Sequence, residues 1–314
     1  MVESKSLALE TIGRNILNPF ARNTARYGSP EFVYSSLEDF QNREIPDGVH
    51  SIAYGDGHLD VLTEDRGAEA SLIFFHGAVP WRKTTLPVFS GKSVTDGLEA
   101  NLILVSDPSL ELTLNLAWFV GDHERRLQQD LPAVLNHILA SFSNHKHVIT
   151  YGGSGGGFAS LFYSTFLNNA IAIAANPQTS IANYHQQAVD RFVKATWPGR
   201  SIEDIDAVTD VSTLYCRPVD NPVIYVQALG DDHIELHMKP FLDAIAAENR
   251  HGVRFLWNGK GHIPPSKGSI NKMLKDVVAC SGNWSDTSDR LSLINGIVTP
   301  DILAMQRQYL AGLV

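Results

Sequence analysis

The stretch Thr150–Ser160, TYGGSGGGFAS, sets five of the chain's 24 glycines around one serine. Fixing glycine costs more backbone entropy than fixing any other residue, so such a run marks a place where side chains are not tolerated. A strand-like run, HVIT, enters it, and a helix-like run, FASLFYSTFL, leaves it. Within it Gly152-Gly153-Ser154-Gly155-Gly156 satisfies G-x-S-x-G, the pattern of a serine raised on a strained strand-to-helix turn. Small neighbours let the two backbones pass closely, and a helix amino terminus behind Ser154 favours developing negative charge. A dinucleotide fingerprint needs glycines at i, i+2 and i+5, but Phe158 and Ser160 stand at the third position in the two possible frames. GKS occurs at 91–93, yet Leu86 stands where the first glycine of a phosphate loop belongs.

Working outward, six short apolar runs punctuate the chain: SLIFFHG (71–77), ANLILVSD (100–107), HVITYGG (147–153), AIAIAAN (170–176), PVIYVQAL (222–229) and GVRFLWNG (252–259). They are continuous rather than alternating, which fits strands buried on both faces. Helix-like stretches separate them, and in ERRLQQDLPAVLNHILASF the residues Leu131, Leu135, Ile138 and Leu139 share one face. Strand–helix alternation predicts an α/β fold with a mainly parallel central sheet and helices on both faces. VHSIAYGDGHLDVLTED, around Gly55-Asp56-Gly57, predicts an antiparallel hairpin at one edge. Residues 1–48 read as an amino-terminal arm, with a helix over Ser6–Leu17. Residues 49–280 read as the main domain, and 281–314 as a carboxyl-terminal helical extension. The extension is a packing helix or an oligomer contact, so a homo-oligomer stays open. About forty residues at 177–220 exceed an ordinary connection. They read as a helical cap insertion, or as one crossover helix with long loops.

The 314 residues are 44% apolar and 19% charged, an ordinary globular composition, and carry a net charge of −9. An acidic chain is ill suited to general nucleic-acid binding. Cys216 and Cys280 form no CxxC pair, so neither a zinc knuckle nor a disulfide framework is indicated. The first fifteen residues lack the apolar core of a secretory signal, and no apolar run approaches a membrane span. The expected location is cytoplasmic.

A serine nucleophile needs a base and an oxyanion site. Histidines after Ser154 stand at 185, 233, 237, 251 and 262. His262, in NGKGHIPP, follows the last strand, where a base belongs; His185 lies in the cap, and His251 precedes its strand. VIYVQALGDDH offers Asp231 as the acid, with Asp232 as its alternative. Gly155 provides one oxyanion N–H. FFHGAVP, after an early strand, provides the other, with Ala78 preferred and Gly77 and Val79 close behind. His76, Gly77, Asn176, Gln178 and His233 are candidate substrate contacts. Trp118 and Phe119 read as core packing or as a pocket wall. His233 and His237, spaced i, i+4, share a helix face as zinc ligands would. H-x-E-x-H is not the zinc-protease order, however, and no metal is expected.

These pieces, in this order, resemble the α/β-hydrolase superfamily over roughly residues 48–280. The resemblance implies a Ser154–His262–Asp231 triad and, ordinarily, no cofactor. The elbow departs from the common pattern in having glycine where a bulkier second residue usually stands. More loosely, the HGA loop, SDPSL and YGGSGGG resemble bacterial glycan O-acetyltransferases of the accessory-secretion type. The expected activity is hydrolysis of a small-molecule or glycan carboxylic ester. An O-acetyltransferase using the same triad, and a non-catalytic binding protein on the same fold, are the competing readings.

Overall fold

A computed structural model describes residues 20–81, 84–294 and 299–312. The strands are β1 (Ala21–Arg22), β2 (Glu31–Tyr34), β3 (Gly48–Tyr54), β4 (Gly57–Glu64), β5 (Ala70–Phe75), β6 (Thr85–Leu86), β7 (Ala100–Ser106), β8 (His147–Gly153), β9 (Ala170–Ala175), β10 (Val223–Gly230) and β11 (His251–Lys260). Nine of them form one sheet in the order β11-β10-β9-β8-β5-β7-β4-β3-β2, and β1 pairs with β6 apart from it. Every neighbouring pair in the large sheet is parallel except those that β4 makes with β3 and β7.

Five of the six continuous apolar runs, β5, β7, β8, β9 and β10, become the centre of this sheet with both faces covered, whereas the sixth, β11, is an edge strand that is mostly half-buried. In β5, Ile73 and Phe75 face one core while Leu72 and Phe74 face the other. The helix Leu127–Ser141 buries Leu131, Leu135, Ile138 and Leu139 in the first core, as its spacing requires. The helix Lys267–Val278 closes the second with Met273, Leu274 and Val277. Each such side chain contributes about 1.5–3 kcal/mol of burial. The β3–β4 hairpin turns at Gly55, whose φ of +60° suits glycine.

Three expectations change. The arm contains β2, parallel to β3, which no alternation announces because only Tyr34 of its four residues is buried. In the second half of the expected helical cap, residues 201–215, only Ser212–Tyr215 coil into a helix. The stretch before β11 shortens to a π turn, Ile234–Met238, and a helix, Lys239–Ala244. The helix expected over Ser6–Leu17 lies outside the described residues. Between β9 and β10 the chain forms the helix Gln186–Thr196, which buries Val189, Phe192, Val193 and Thr196 at helical spacing. The ends of this segment are tied by Val211 N–H to the Thr179 carbonyl and Ile181 N–H to the Thr209 carbonyl. Among the described residues no helix is long and apolar enough to cross a membrane.

Candidate active site

Ser154 joins β8 to the helix Gly155–Ser164 with φ 57° and ψ −121°. That is a left-handed, strained conformation for a residue with a side chain, costing about 1–3 kcal/mol. The turn is held by Ser154 N–H on the Ala175 carbonyl at 2.9 Å, while the Ser154 carbonyl accepts from Gly157 and Gln178 N–H at 3.0 and 3.2 Å. Close approach explains the glycines. A Cβ on Gly152 would fall inside the Gly156 carbonyl, and one on Gly156 would meet the carbonyls of Phe75 and His76. A Cβ on Gly157 would lie 2.7 Å from Pro177 Cβ.

At the same carboxyl end of the sheet, His262 Nδ1 lies 2.7 Å from Asp231 Oδ2. Asp231 is fully buried, and its other oxygen accepts His233 N–H at 3.0 Å. Burial works to raise this carboxyl, but the His262 hydrogen bond and the nearby His233 hold it below the usual carboxylate range. An ionised Asp231 only accepts, so the proton on Nδ1 belongs to His262. Asp232 is exposed and does not reach this pair. The loops that carry Asp231 and His262 are bonded together by Gly261 N–H to the Gly230 carbonyl at 2.7 Å. From the carboxyl terminus, Gln306 Nε2 donates to the Asp231 carbonyl at 3.0 Å.

The His76-Gly77-Ala78 loop sits over the elbow: a Cβ on Gly77 would be 2.9 Å from the Gly153 carbonyl and 3.6 Å from Ser154 Cβ. Val79 N–H is committed to the Asn115 carbonyl at 2.8 Å, which leaves Gly77 and Ala78 as loop donors. His76 does not face a substrate. It is buried, its Nε2 accepts Asp107 N–H at 3.1 Å, and its Nδ1 lies 2.7 Å from the Gly77 carbonyl. Burial pushes it down to about 4, so it stays neutral and braces the loop.

Asn176 and His233 also turn inward. Asn176 Oδ1 accepts Ala228 N–H at 2.7 Å and Nδ2 donates to the Ile263 carbonyl at 2.9 Å, so it ties the end of β9 to the acid and base loops. The His233 ring packs 4.2 Å from the His262 ring, and its Nδ1 faces the Asn176 carbonyl at 3.2 Å. Burial lowers its affinity for a proton. His237 packs on His233 at 4.6 Å rather than pairing with it as a ligand, and burial pushes it down to about 3. Asp231, His233 and His262 place ligand-type atoms within 4.8 Å of one another, but both Asp231 oxygens are already engaged.

Gln178 reaches the elbow directly. Its Nε2 donates to Ser154 Oγ at 2.8 Å, and its Oε1 accepts from the Trp118 indole at 2.6 Å. Trp118 and Phe119 are consecutive residues at φ 55° and 57°. Asp107 holds that turn by accepting Phe119 N–H at 2.7 Å, and burial pushes its carboxyl up to about 6. The sequence offered Trp118 only as core or wall, and nothing in it marked Asp107 as a brace. The stretch Asn176-Pro177-Gln178-Thr179, following the strand next to the elbow, was the local signal for Gln178.

A cavity of about 490 Å³ opens beside the elbow. Ala78, of the loop over the elbow, and Leu116, which packs on Gly155, border it; Tyr184, His185, Gln186 and Arg191 form its outer wall, and neither Ser154 nor His262 lines it. A larger cavity, about 890 Å³, lies elsewhere, between the helix Leu127–Ser141 and residues 197–208, and touches none of the groups described above.

No protein-family model matches the sequence, and no curated protein matches it. Solved structures match in shape. A capsule O-acetyltransferase of Neisseria meningitidis serogroup A matches with TM-score 0.53 and 11% identity, over 77% of this chain and 99% of that one. Pyrococcus horikoshii acylaminoacyl peptidase matches with TM-score 0.52 and 14% identity, over 83% of this chain and 45% of that one. A tributyrin-phosphonate-inhibited esterase B from Lactobacillus rhamnosis matches with TM-score 0.51 and 13% identity, over 91% and 96%. The chain thus spans less than half of the peptidase and nearly all of the other two. It has the α/β-hydrolase fold.

Proposed function

We propose that the protein is a serine hydrolase that cleaves a carboxylic ester through an acyl-enzyme on Ser154. The observation that carries this reading is the buried Asp231, hydrogen-bonded to the exposed His262, at the same carboxyl end of the sheet as a serine on a strained elbow. His262 Nε2 takes the hydroxyl proton as Ser154 Oγ bonds to the ester carbon. The carbonyl π pair becomes an oxyanion facing Gly155 N–H and the Gly77–Ala78 loop. Collapse breaks the bond to the alcohol oxygen, which leaves with the proton from His262. Water then repeats the sequence and releases the acid. Asp231 orients the imidazole and stabilises its charged form. The segment 177–220 acts as a cap, since its Tyr184 and Arg191 wall the cavity that Ala78 and Leu116 border.

The test is labelling by a fluorophosphonate. Wild type should label and hydrolyse a short activated ester. Ser154→Ala should do neither while melting as wild type does, because losing a triad serine costs on the order of 10⁶ in rate. A labelled Ser154→Ala protein would refute the assignment.

One observation favours a second reading, acyl transfer to a glycan. The cavity's outer wall carries Tyr184, Gln186, Gln187 and Arg191, side chains that hydrogen-bond sugar hydroxyls. Added oligosaccharide should divert the acyl group from water in a transferase and leave acid release unchanged in a hydrolase.

A further inference from the structure

We infer that the Gln178 carboxamide is a third donor to the oxyanion, supplied by a side chain and aimed by the Trp118 indole. The inference rests on the acyl-enzyme reading of Ser154. Gln178 is fully buried, so its amide has no solvent to turn toward. Its orientation is determined by chemistry: an indole N–H can only donate, so the atom 2.6 Å from Trp118 Nε1 must be the amide oxygen. The amino group therefore faces Ser154 Oγ, 2.8 Å away. The same carboxamide flanks Gly155, where a Cβ would sit 3.5 Å from its oxygen. Gln178 thus packs against the residue that supplies the backbone donor.

In the resting protein this bond occupies a lone pair of Oγ and leaves the hydroxyl proton free to turn to the base. During attack Oγ becomes an ester-type oxygen and a poorer acceptor, while charge grows on the carbonyl oxygen bonded to the same carbon. The amide then transfers its hydrogen bond to that oxygen without releasing Trp118. A preorganised donor aimed where charge develops costs no reorganisation at the moment of reaction. The anchor is itself preorganised: Trp118 and Phe119 hold successive left-handed conformations, secured by Asp107 and by the Tyr163 hydroxyl on the Phe119 carbonyl at 2.7 Å. Two strained residues in a row are retained where they place one indole proton against Gln178.

The experiment compares wild type with Gln178→Met, which keeps size but removes the donor, and Gln178→Glu, which keeps an acceptor for Trp118 but opposes negative charge. Each is assayed with 4-nitrophenyl acetate, with a trifluoromethyl ketone inhibitor and by thermal melting. Gln178→Met should lose about 10²–10³ in kcat with little change in KM, as removal of one oxyanion donor does. Its affinity for the ketone should fall by the same factor, and Gln178→Glu should lose at least as much. Trp118→Phe should lower kcat in wild type and have no further effect in Gln178→Met, since a positioning residue acts through its partner. Activity within threefold of wild type in Gln178→Met, a loss confined to KM, unchanged ketone affinity, or additive Trp118 and Gln178 effects would each overturn the inference. A wild type inert to both ester and fluorophosphonate would instead end the acyl-enzyme reading, and the inference with it.

Discussion

Asp231 and Asp232 carry the same side chain, yet one is sealed against His262 and the other faces solvent. Sequence leaves the choice between them open, because a one-residue slip after β10 changes nothing in composition or spacing. The fold sets Asp231, rather than Asp232, against His262 through the β10 register and the Gly230–Gly261 bond that brings the two loops together. Asp231→Asn should lower kcat/KM by roughly 10⁴, the scale of the same change in a serine protease triad. Asp232→Asn should stay within a few-fold. Steady-state kinetics on both variants checks this, and a reversed order would show that the acid lies one residue on. His76 and Asn176 teach the complementary lesson. Polar residues beside an elbow look like substrate contacts until their partners are known, and those partners come from Asp107, Ala228 and Ile263, far away in the chain.

At the scale of elements, β5, β7, β8, β9 and β10 were legible because burial on both faces demands unbroken apolar runs. The hairpin was legible because its turn needs glycine. β2 was not, since an edge strand with one buried residue leaves no pattern. The residues after Pro198, expected within a helical cap, stay mostly in turns because aspartates such as Asp204 and Asp206 are weak helix formers. The helix Thr299–Leu310 was legible as a packing helix, but its contact with the acid was not. Gln306 bonds the Asp231 carbonyl and the Tyr309 hydroxyl accepts Gly259 N–H at 2.9 Å, so this helix braces both loops. Gln306→Leu removes one bond worth about 1 kcal/mol, so kcat/KM should fall by no more than about fivefold. Amide exchange in residues 230–234 should quicken with it. Unchanged exchange would show that the acid loop stands without the helix.

For the whole molecule, acid stability follows from buried histidines. Burial holds His50 and His76 near 4 and His237 near 3, against 6.5 for a free histidine. Between those values the unfolded chain binds more protons than the folded one, so stability rises with pH through that window and is lost on acidification. Asp107 opposes this. Raised to about 6 from 3.8, it keeps a proton when folded, and its contribution fades as pH rises through that interval. Three histidines outweigh one carboxyl. Urea unfolding should therefore give a smaller free energy at pH 5 than at pH 7, and each net proton contributes at most about 1.4 kcal/mol per pH unit. His237→Leu, which removes two buried ring nitrogens without protein partners among the described residues, should shrink that difference. A free energy equal at both pH values would contradict the assignment.

The crowded elbow also sets what a saturation-mutagenesis library would return. At Gly152 and Gly156 any added carbon collides with main chain, so variants there should vanish alike from a screen for protein abundance and from one for turnover. Ser154 is different, because its own strain is already accommodated and Ala fits the same turn. Abundance and turnover should part company at Ser154 and agree at Gly152 and Gly156, so comparing the two screens would mark the serine within the elbow without any inhibitor or substrate-shaped probe.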